Sequence, residues 1–341
     1  YSQMSLFHRN PGEGDREAEE FEEFISLYSK LTNGHGSGAD SLFRAELAHY
    51  RGDLDMSEIF IHKAIFLAES YQQSIVQLGA NLQLCEIAVE RCDSELWDKA
   101  FNSMEHAATF QNNAVIRTVL DIVRGLLLNE IGHQAQIADF MKNADQAKLI
   151  FHSVRYLAMF EHVCYLMHEE KYAQMAGVAQ AVRDTISPDF PFGDAMLSLM
   201  VAIGYFNIGD KNNAIENLNR SMEQAIPDGF LYIFAVHHWM FQGLTEEIIA
   251  ERFPENLKLY RKIKDRFFKG YKQLHTNLLP NALTDSLTAR ELEIAVLASK
   301  GLRNSEIAKK LIITESTVRT HLHSAFQKLD IDRRSQLAEK L

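Results

Sequence analysis

The chain has 341 residues, 46% of them hydrophobic and 24% charged, with a formal net charge of −11. That length and apolar content suffice for two or more domains with a substantial core, which excludes a disordered polypeptide. The acidity argues against a protein that coats nucleic acid nonspecifically, and the longest uncharged stretches, 195–209 and 229–245, are too short or too polar to span a bilayer.

The charge is unevenly placed. Residues 284–341 carry 10 Lys and Arg against 8 Asp and Glu, whereas the remainder carries 25 against 38. Any affinity for nucleic acid must therefore come from a local patch and a few phosphates, and it must fall with salt. Cys85, Cys92 and Cys164 show no C-x-x-C spacing. On one helix Cys85 and Cys92 lie roughly 10 Å apart along the axis, beyond disulfide reach. Free thiols, with no signal peptide in view, fit a cytoplasmic setting. The chain begins at Tyr1 in mid-pattern and reads as part of a longer polypeptide.

From residue 1 to 279, six prolines in the whole chain, helical spacing of apolar residues and few β-branched runs predict an almost wholly helical domain. The acidic run 15–23, interleaved with Phe21 and followed by Phe24, Ile25 and Tyr28, reads as a solvated helix face. The glycines of 34–38 lack the lysine and the preceding strand of a phosphate loop, so they read as turn residues. Gly52, Gly132 and Gly209 each fall in a predicted turn, followed at +5 by Ser57, Ile137 or Ala214 and at +12 by Ala64, Ala144 or Ser221. Weaker copies anchor on Glu95, with Ala100 and Ala107, and on Glu170, with Met175 and Val182. Positions seven apart face the same way on a helix, and small ones let a partner helix approach. The period is near 39, longer than the roughly 34 of a tetratricopeptide repeat, and it suits the same helix hairpin with longer helices. The expected fold is all-α: a tetratricopeptide-like α-solenoid with a concave surface for a small effector, a peptide or a protein.

Aromatics gather at Phe190, Phe192, Tyr205 and Phe206, and again at Phe230, Tyr232, Phe234, Trp239 and Phe241. Stripes of this kind usually bury themselves, although some could stack on a ligand. Neither His237 with His238 nor His321 with His323 can make a zinc site, because side chains one or two apart on a helix diverge. No metal or other cofactor is expected, and no catalytic constellation can be assembled, so the chain does not read as an enzyme. Residues 255–279 form a last long basic helix, and 280–286 follow as a linker marked by Pro280 and polar residues. A link that short lets the assembly state of the helical domain dictate where the final domain, 287–341, points.

The segment Asn33-Gly34-His35-Gly36-Ser37-Gly38, with Ala45-Glu46, Arg51-Gly52-Asp53 and Lys63-Ala64, resembles the helical-repeat region of the large MalT-like regulators. The resemblance implies a sensor for small inducers such as sugars ahead of a C-terminal DNA-binding domain. In the fuller family an ATP-binding domain lies upstream; this chain has no G-x-x-x-x-G-K-[ST] loop, so ATP control would need machinery outside it.

In the C-terminal segment Leu287-Thr288-Ala289-Arg290-Glu291-Leu292 spells a capping box, Thr288 with Glu291, and a hydrophobic staple of Leu287 on Leu292. Gly301 breaks the first helix and Asn304 caps a second, whose apolar face is Ile307, Ala308 and Leu311. Only Ile312 and Ile313 separate Leu311 from the next cap, Thr314, and so tight a turn forces the two helices to cross steeply. In the third helix Val318, Leu322, Ala325, Phe326 and Leu329 recur at helical spacing and must face a small core. The opposite face is then Ser316, Arg319, Thr320, His323 and Gln327. Arg319, Thr320 and His323 are the candidate base readers, with Arg319 able to bond guanine O6 and N7 together. Asn304, Thr314, Ser316, Thr317, Gln327 and Lys328 suit phosphates or positioning.

This segment resembles the LuxR-type helix-turn-helix through Leu287-Thr288, Arg290-Glu291, Gly301, Asn304, Ile307-Ala308, Leu311, Thr317-Val318, His321, Lys328-Leu329 and Arg334. Arg319 stands where the family more often has lysine, which keeps the charge and favours guanine. Asp330 replaces the usual glycine, and aspartate can adopt the same turn conformation. The resemblance implies dimeric binding to an inverted-repeat operator in double-stranded DNA, with 334–341 as a final helix that helps pair the domains. The expected protein is a cytoplasmic, bacterial-type transcription regulator acting on the transcription machinery, its helical domain controlling assembly in response to a small-molecule or peptide effector. The alternative is a peptide- or protein-binding scaffold whose C-terminal bundle is a docking module.

Overall fold

A computed structural model describes residues 8–110, 113–130, 137–143, 152–185, 190–278, 287, 289–311, 313–329 and 331–337. These residues are all-α, with no strand among them. They divide into two compact units, residues 1–89 with 93–231, and residues 90–92 with 232–341. The division falls upstream of the linker expected at 280–286, which lies outside the described residues.

The first unit contains α1 (Gly14–Leu31), α2 (Ala39–Tyr50), α3 (Leu54–Ser70), α4 (Ser74–Arg91), α5 (Ser94–Phe110), α6 (Ala114–Glu130), the single turn α7 (Asp139–Lys142), α8 (His152–His168), α9 (Tyr172–Arg183), α10 (Pro191–Asn207) and α11 (Lys211–Ala225). Helices that follow one another pack together, as α2 does on α3 and α10 on both α9 and α11. Several joints between helices share one backbone conformation. Gly52, Cys92, Glu170 and Gly209 all have positive φ, and each stands two residues before a helix. They are spaced 40, 78 and 39 positions apart, while Gln72 and Gln242, with the same conformation two residues before α4 and before the helix Leu244–Arg252, fall off that spacing. Ala100 and Ala107, which follow Glu95 at +5 and +12, are buried; the left-handed turn itself lies three residues earlier at Cys92, followed at the same steps by the buried Trp97 and Met104. Gly132 and Ala144 lie outside the described residues.

At +5 and +12 from the other anchors, Ser57, Ala64, Met175, Val182, Ala214 and Ser221 are all buried. The two serines do more than leave room. Ser57 Oγ donates to the Ala45 carbonyl at 2.9 Å and Ser221 Oγ to that of Ala195 at 2.7 Å, tying each second helix to its first. A buried hydroxyl with such a partner avoids the desolvation cost of an orphan. Gly38, which opens α2 at φ 91°, lies so close to α3 that a Cβ there would sit 2.6 Å from the Ala64 carbonyl oxygen, and this accounts for the last glycine of 34–38 as a turn residue.

An array with nearest-neighbour contacts alone would keep its ends apart. Here Tyr50 at the end of α2 stacks on Phe192 with centroids 5.1 Å apart, and the Leu231 N–H donates to the Tyr50 carbonyl at 3.0 Å. Asp228 completes the closure by accepting from the N–H groups of Gly12 and Gly14. His8 sits buried between the Glu17 and Asp228 carboxylates, at 2.6 and 3.2 Å. Burial opposes its charge, but hydrogen bonds to both acids outweigh that and raise its pKa. Phe192, Phe230, Tyr232, Phe234 and Phe241 are core residues.

The second unit begins with α12 (Tyr232–Val236), a 3-10 turn His238–Phe241, α13 (Leu244–Arg252) and α14 (Leu257–Leu278), followed by α15 (Ala289–Ser299), α16 (Asn304–Lys310) and α17 (Glu315–Leu329). Cys85, Cys92 and Cys164 are free thiols. No helix among the described residues is long and apolar enough to cross a membrane, and no cluster of His, Cys, Asp and Glu there could hold a metal.

Candidate nucleic-acid interface

Three short helices enclose one small core. Leu287, Ile294, Ala298, Ile307, Leu311, Val318, Leu322, Ala325, Leu329 and Leu337 are buried together, with Leu292, Ile313 and Phe326 packed against them. Gly301, at φ 87°, ends α15. Thr288 and Ile312 lie outside the described residues, so the first capping box and one turn residue have no structural account.

Thr314 caps α17. Its Oγ1 accepts from the Thr317 N–H at 3.2 Å and lies 2.7 and 2.8 Å from the hydroxyls of Ser316 and Thr317. With the apolar stripe locked inward, Ser316, Arg319, Thr320, His323 and Gln327 are all exposed along the other face. Thr320 donates its hydroxyl to the Ser316 carbonyl at 3.0 Å. The Gln327 amide lies 3.2 Å from His323 Nε2, an i, i+4 contact that orders both side chains. The five residues therefore form one polar surface carrying the Arg319 cation.

Two of the expected positioning residues are tied into the fold. Asn304 is the first residue of α16, whose cap position is Arg303; the Arg303 N–H donates to Glu306 at 2.6 Å. The Asn304 side-chain oxygen instead accepts from Arg334 at 3.0 Å. Arg334 also donates to the carbonyls of Ala298 and Leu302, closing the C-terminal segment over the first turn. Lys328 donates to both oxygens of Glu291, at 2.9 and 2.6 Å, and Ser324 donates to the same carboxylate. Glu291 thus couples α15 to α17. Arg334–Gln336 form a 3-10 turn, with Leu337 buried; Asp330 and 338–341 lie outside the described residues. Arg303, Lys309 and Arg333 are exposed cations that the sequence pattern did not single out.

The back of the bundle is held by charge. Lys264 of α14 is 3% exposed and lies 2.8 Å from Glu246 of α13 and 3.5 Å from Glu293 of α15. Arg290 bridges Glu293 at 2.8 Å and donates to the Leu311 carbonyl at 2.8 Å, while Arg261 reaches Glu246 at 2.6 Å. Burial works against the Glu293 carboxylate, but the charges of Lys264 and Arg290 outweigh it and hold its pKa below the usual value. Lys272 of α14 donates to the Leu287 carbonyl at 2.6 Å. Gly243, at φ 95°, comes so near the turn that a Cβ would lie 2.7 Å from Leu311 Cδ2. Helices α13 and α14 therefore grip α15 and the turn and leave the outer face of α17 uncovered.

Residues 285–341 match the GerE family model, described as bacterial regulatory proteins, luxR family. The C-terminal segment is a LuxR-family helix-turn-helix domain. The transcriptional regulatory protein LiaR of Bacillus subtilis (strain 168) is 40% identical over 81 residues, 24% of this chain and 37% of that protein. The transcriptional regulatory protein LnrK of the same organism is 40% identical over 75 residues, 22% of this chain and 32% of its own length. An uncharacterized transcriptional regulatory protein, YxjL, matches equally over 75 residues, 22% and 33%. The chain spans about a third of the length of these relatives. No solved structure matches it.

Proposed function

We propose that the protein is a sequence-specific DNA-binding transcription regulator, with the LuxR-type domain as its reading head. The observation that carries this reading is the exposed polar face of α17, where Arg319, Thr320 and His323 lie on a helix whose opposite side is fixed in the core. In the proposal these three enter the major groove. Thr314, Ser316, Thr317 and Gln327 meet phosphates, and Asn304 and Lys328 act through the contacts that hold α16 and α17 in place. The names of the relatives, all transcriptional regulatory proteins, favour the same reading.

The helical unit is, in this reading, a tetratricopeptide-like sensor that answers a small-molecule or peptide effector by changing self-assembly. Dimers would then gain avidity for an inverted-repeat operator and act on the transcription machinery in the cytoplasm. No catalysis is assigned to it. The joints near a 39-residue period support the repeat reading. Selection of bound duplexes from a random pool tests the proposal. Recovery of a two-fold symmetric motif containing guanine supports it, whereas sequence-blind binding, or none, refutes it and favours a protein-interaction scaffold.

A further inference from the structure

Ten large apolar side chains are markedly exposed among the described residues, and seven of them fall between Phe24 and Tyr71. Such clustering departs from the scattered exposure of an ordinary surface and marks an interaction site. The pattern is helical. On α1, Phe24, Leu27 and Leu31 follow at three- and four-residue steps and share one face, with the exposed Glu20 and Glu23 on the same side a turn earlier. On α3, Met56, Ile59 and Phe66 share one face, and exposed Lys63 lies in that stripe with His62 beside it. The exposure is considerable, 76% for Leu31 and 69% for Phe66.

The two helices come together at their C-terminal ends. The turn after α1 is seated on the residues that follow α3: Gly34 lies against the Tyr71 ring, and the Gly36 N–H donates to Gln73 Oε1 at 2.9 Å. An apolar stripe with an acidic end therefore neighbours an apolar stripe with a basic centre. Crossed pairing of α1 from one copy with α3 from another covers both stripes, matches the charges, and under two-fold symmetry uses each match twice.

We propose that the outer faces of α1 and α3 form a self-association surface on which a second copy of this chain docks isologously, Glu20 and Glu23 of each copy meeting Lys63 of the other. The surface is independent of the DNA-binding reading. It places the copy-to-copy contact at the start of the helical unit, far in sequence from the LuxR-type domain.

Sedimentation equilibrium of the full chain tests it, at low and high salt, with Leu27→Glu, Phe66→Glu, Glu23→Lys, Lys63→Glu and the combined Glu23→Lys/Lys63→Glu variant. All these side chains are exposed, and circular dichroism melts check that each variant stays folded. The wild-type chain is expected to form dimers. Each apolar-to-Glu change and each single charge reversal should weaken association about ten-fold or more, and the combined reversal should recover most of that loss. A wild-type chain that remains monomeric at every loading overturns the proposal. So does a dimer indifferent to these substitutions, or a combined reversal as weak as the singles.

Discussion

Replacing Lys264 with methionine probes what holds the reading head to its support. The ammonium is almost fully buried and lies between Glu246 and Glu293, 2.8 and 3.5 Å away, which are themselves nearly inaccessible to water. Removing one partner of a buried ion pair typically costs about 3–5 kcal/mol, because the charge left behind stays desolvated. Both acids keep another cation, Arg261 on Glu246 and Arg290 on Glu293, so the lower end applies, about 3 kcal/mol. With a urea slope of about 1–3 kcal/mol/M, the midpoint should fall by roughly 1–3 M. The chain has two tryptophans, Trp97 in the first unit and Trp239 in the second. In a Trp97→Phe background, Trp239, stacked over Phe267, reports the second unit alone. Changing Glu246 to Leu together with Lys264→Met should recover part of the loss, since an apolar pair carries no desolvation penalty. A Trp239 transition displaced by less than about 0.5 kcal/mol in the single variant would refute the account of the network.

Acid should weaken the same unit. His238 is held at about 4, chiefly by burial and further by the Lys264 charge, against the opposing pull of Glu293. The native state thus refuses a proton that the unfolded chain accepts: the contribution is full above pH 6.5 and is lost as pH falls from there to about 4. It amounts to about 3 kcal/mol, and His238→Gln should flatten that part of the Trp239 stability profile. Gly243→Ala adds a Cβ at positive φ against Leu311 and should cost about 1–2 kcal/mol in urea unfolding, while an alanine at Gly177, with open space around it, should not destabilise. Thr314→Ala removes the α17 cap and should lower stability by about 1 kcal/mol, with a parallel loss of protection from hydrogen exchange in the first turn of that helix.

The sequence carried those features that have a period. Ile307, Leu311, Val318, Leu322, Ala325 and Leu329 could be placed in one core because helical spacing forces them to one side, and the same rule put Arg319, Thr320 and His323 outside. The helix joints were visible for the same reason, although Cys92 escaped notice because nothing but its backbone conformation marks it as a turn residue. Contacts between distant segments left no such trace. Lys264 and Glu246 meet residues of α15 that lie 29 and 44 positions later, and nothing in their local spacing requires it. Asp228 accepting from Gly12 and Gly14 is equally silent in the sequence. Arg290, Lys328 and Arg334, among the residues that carry the resemblance, each bind a carboxylate or carbonyl that ties one segment of the bundle to another.

The most direct test of the central claim is the affinity of the full chain for its selected duplex and for the same duplex with the guanine opposite Arg319 exchanged, measured for wild type and Arg319→Ala at two salt concentrations. The account predicts that wild type prefers the guanine duplex by about 1–3 kcal/mol, that the variant loses that preference, and that both weaken as salt rises. Equal affinity of the two proteins for both duplexes would contradict it, leaving the outer face of α17 as solvated polar surface.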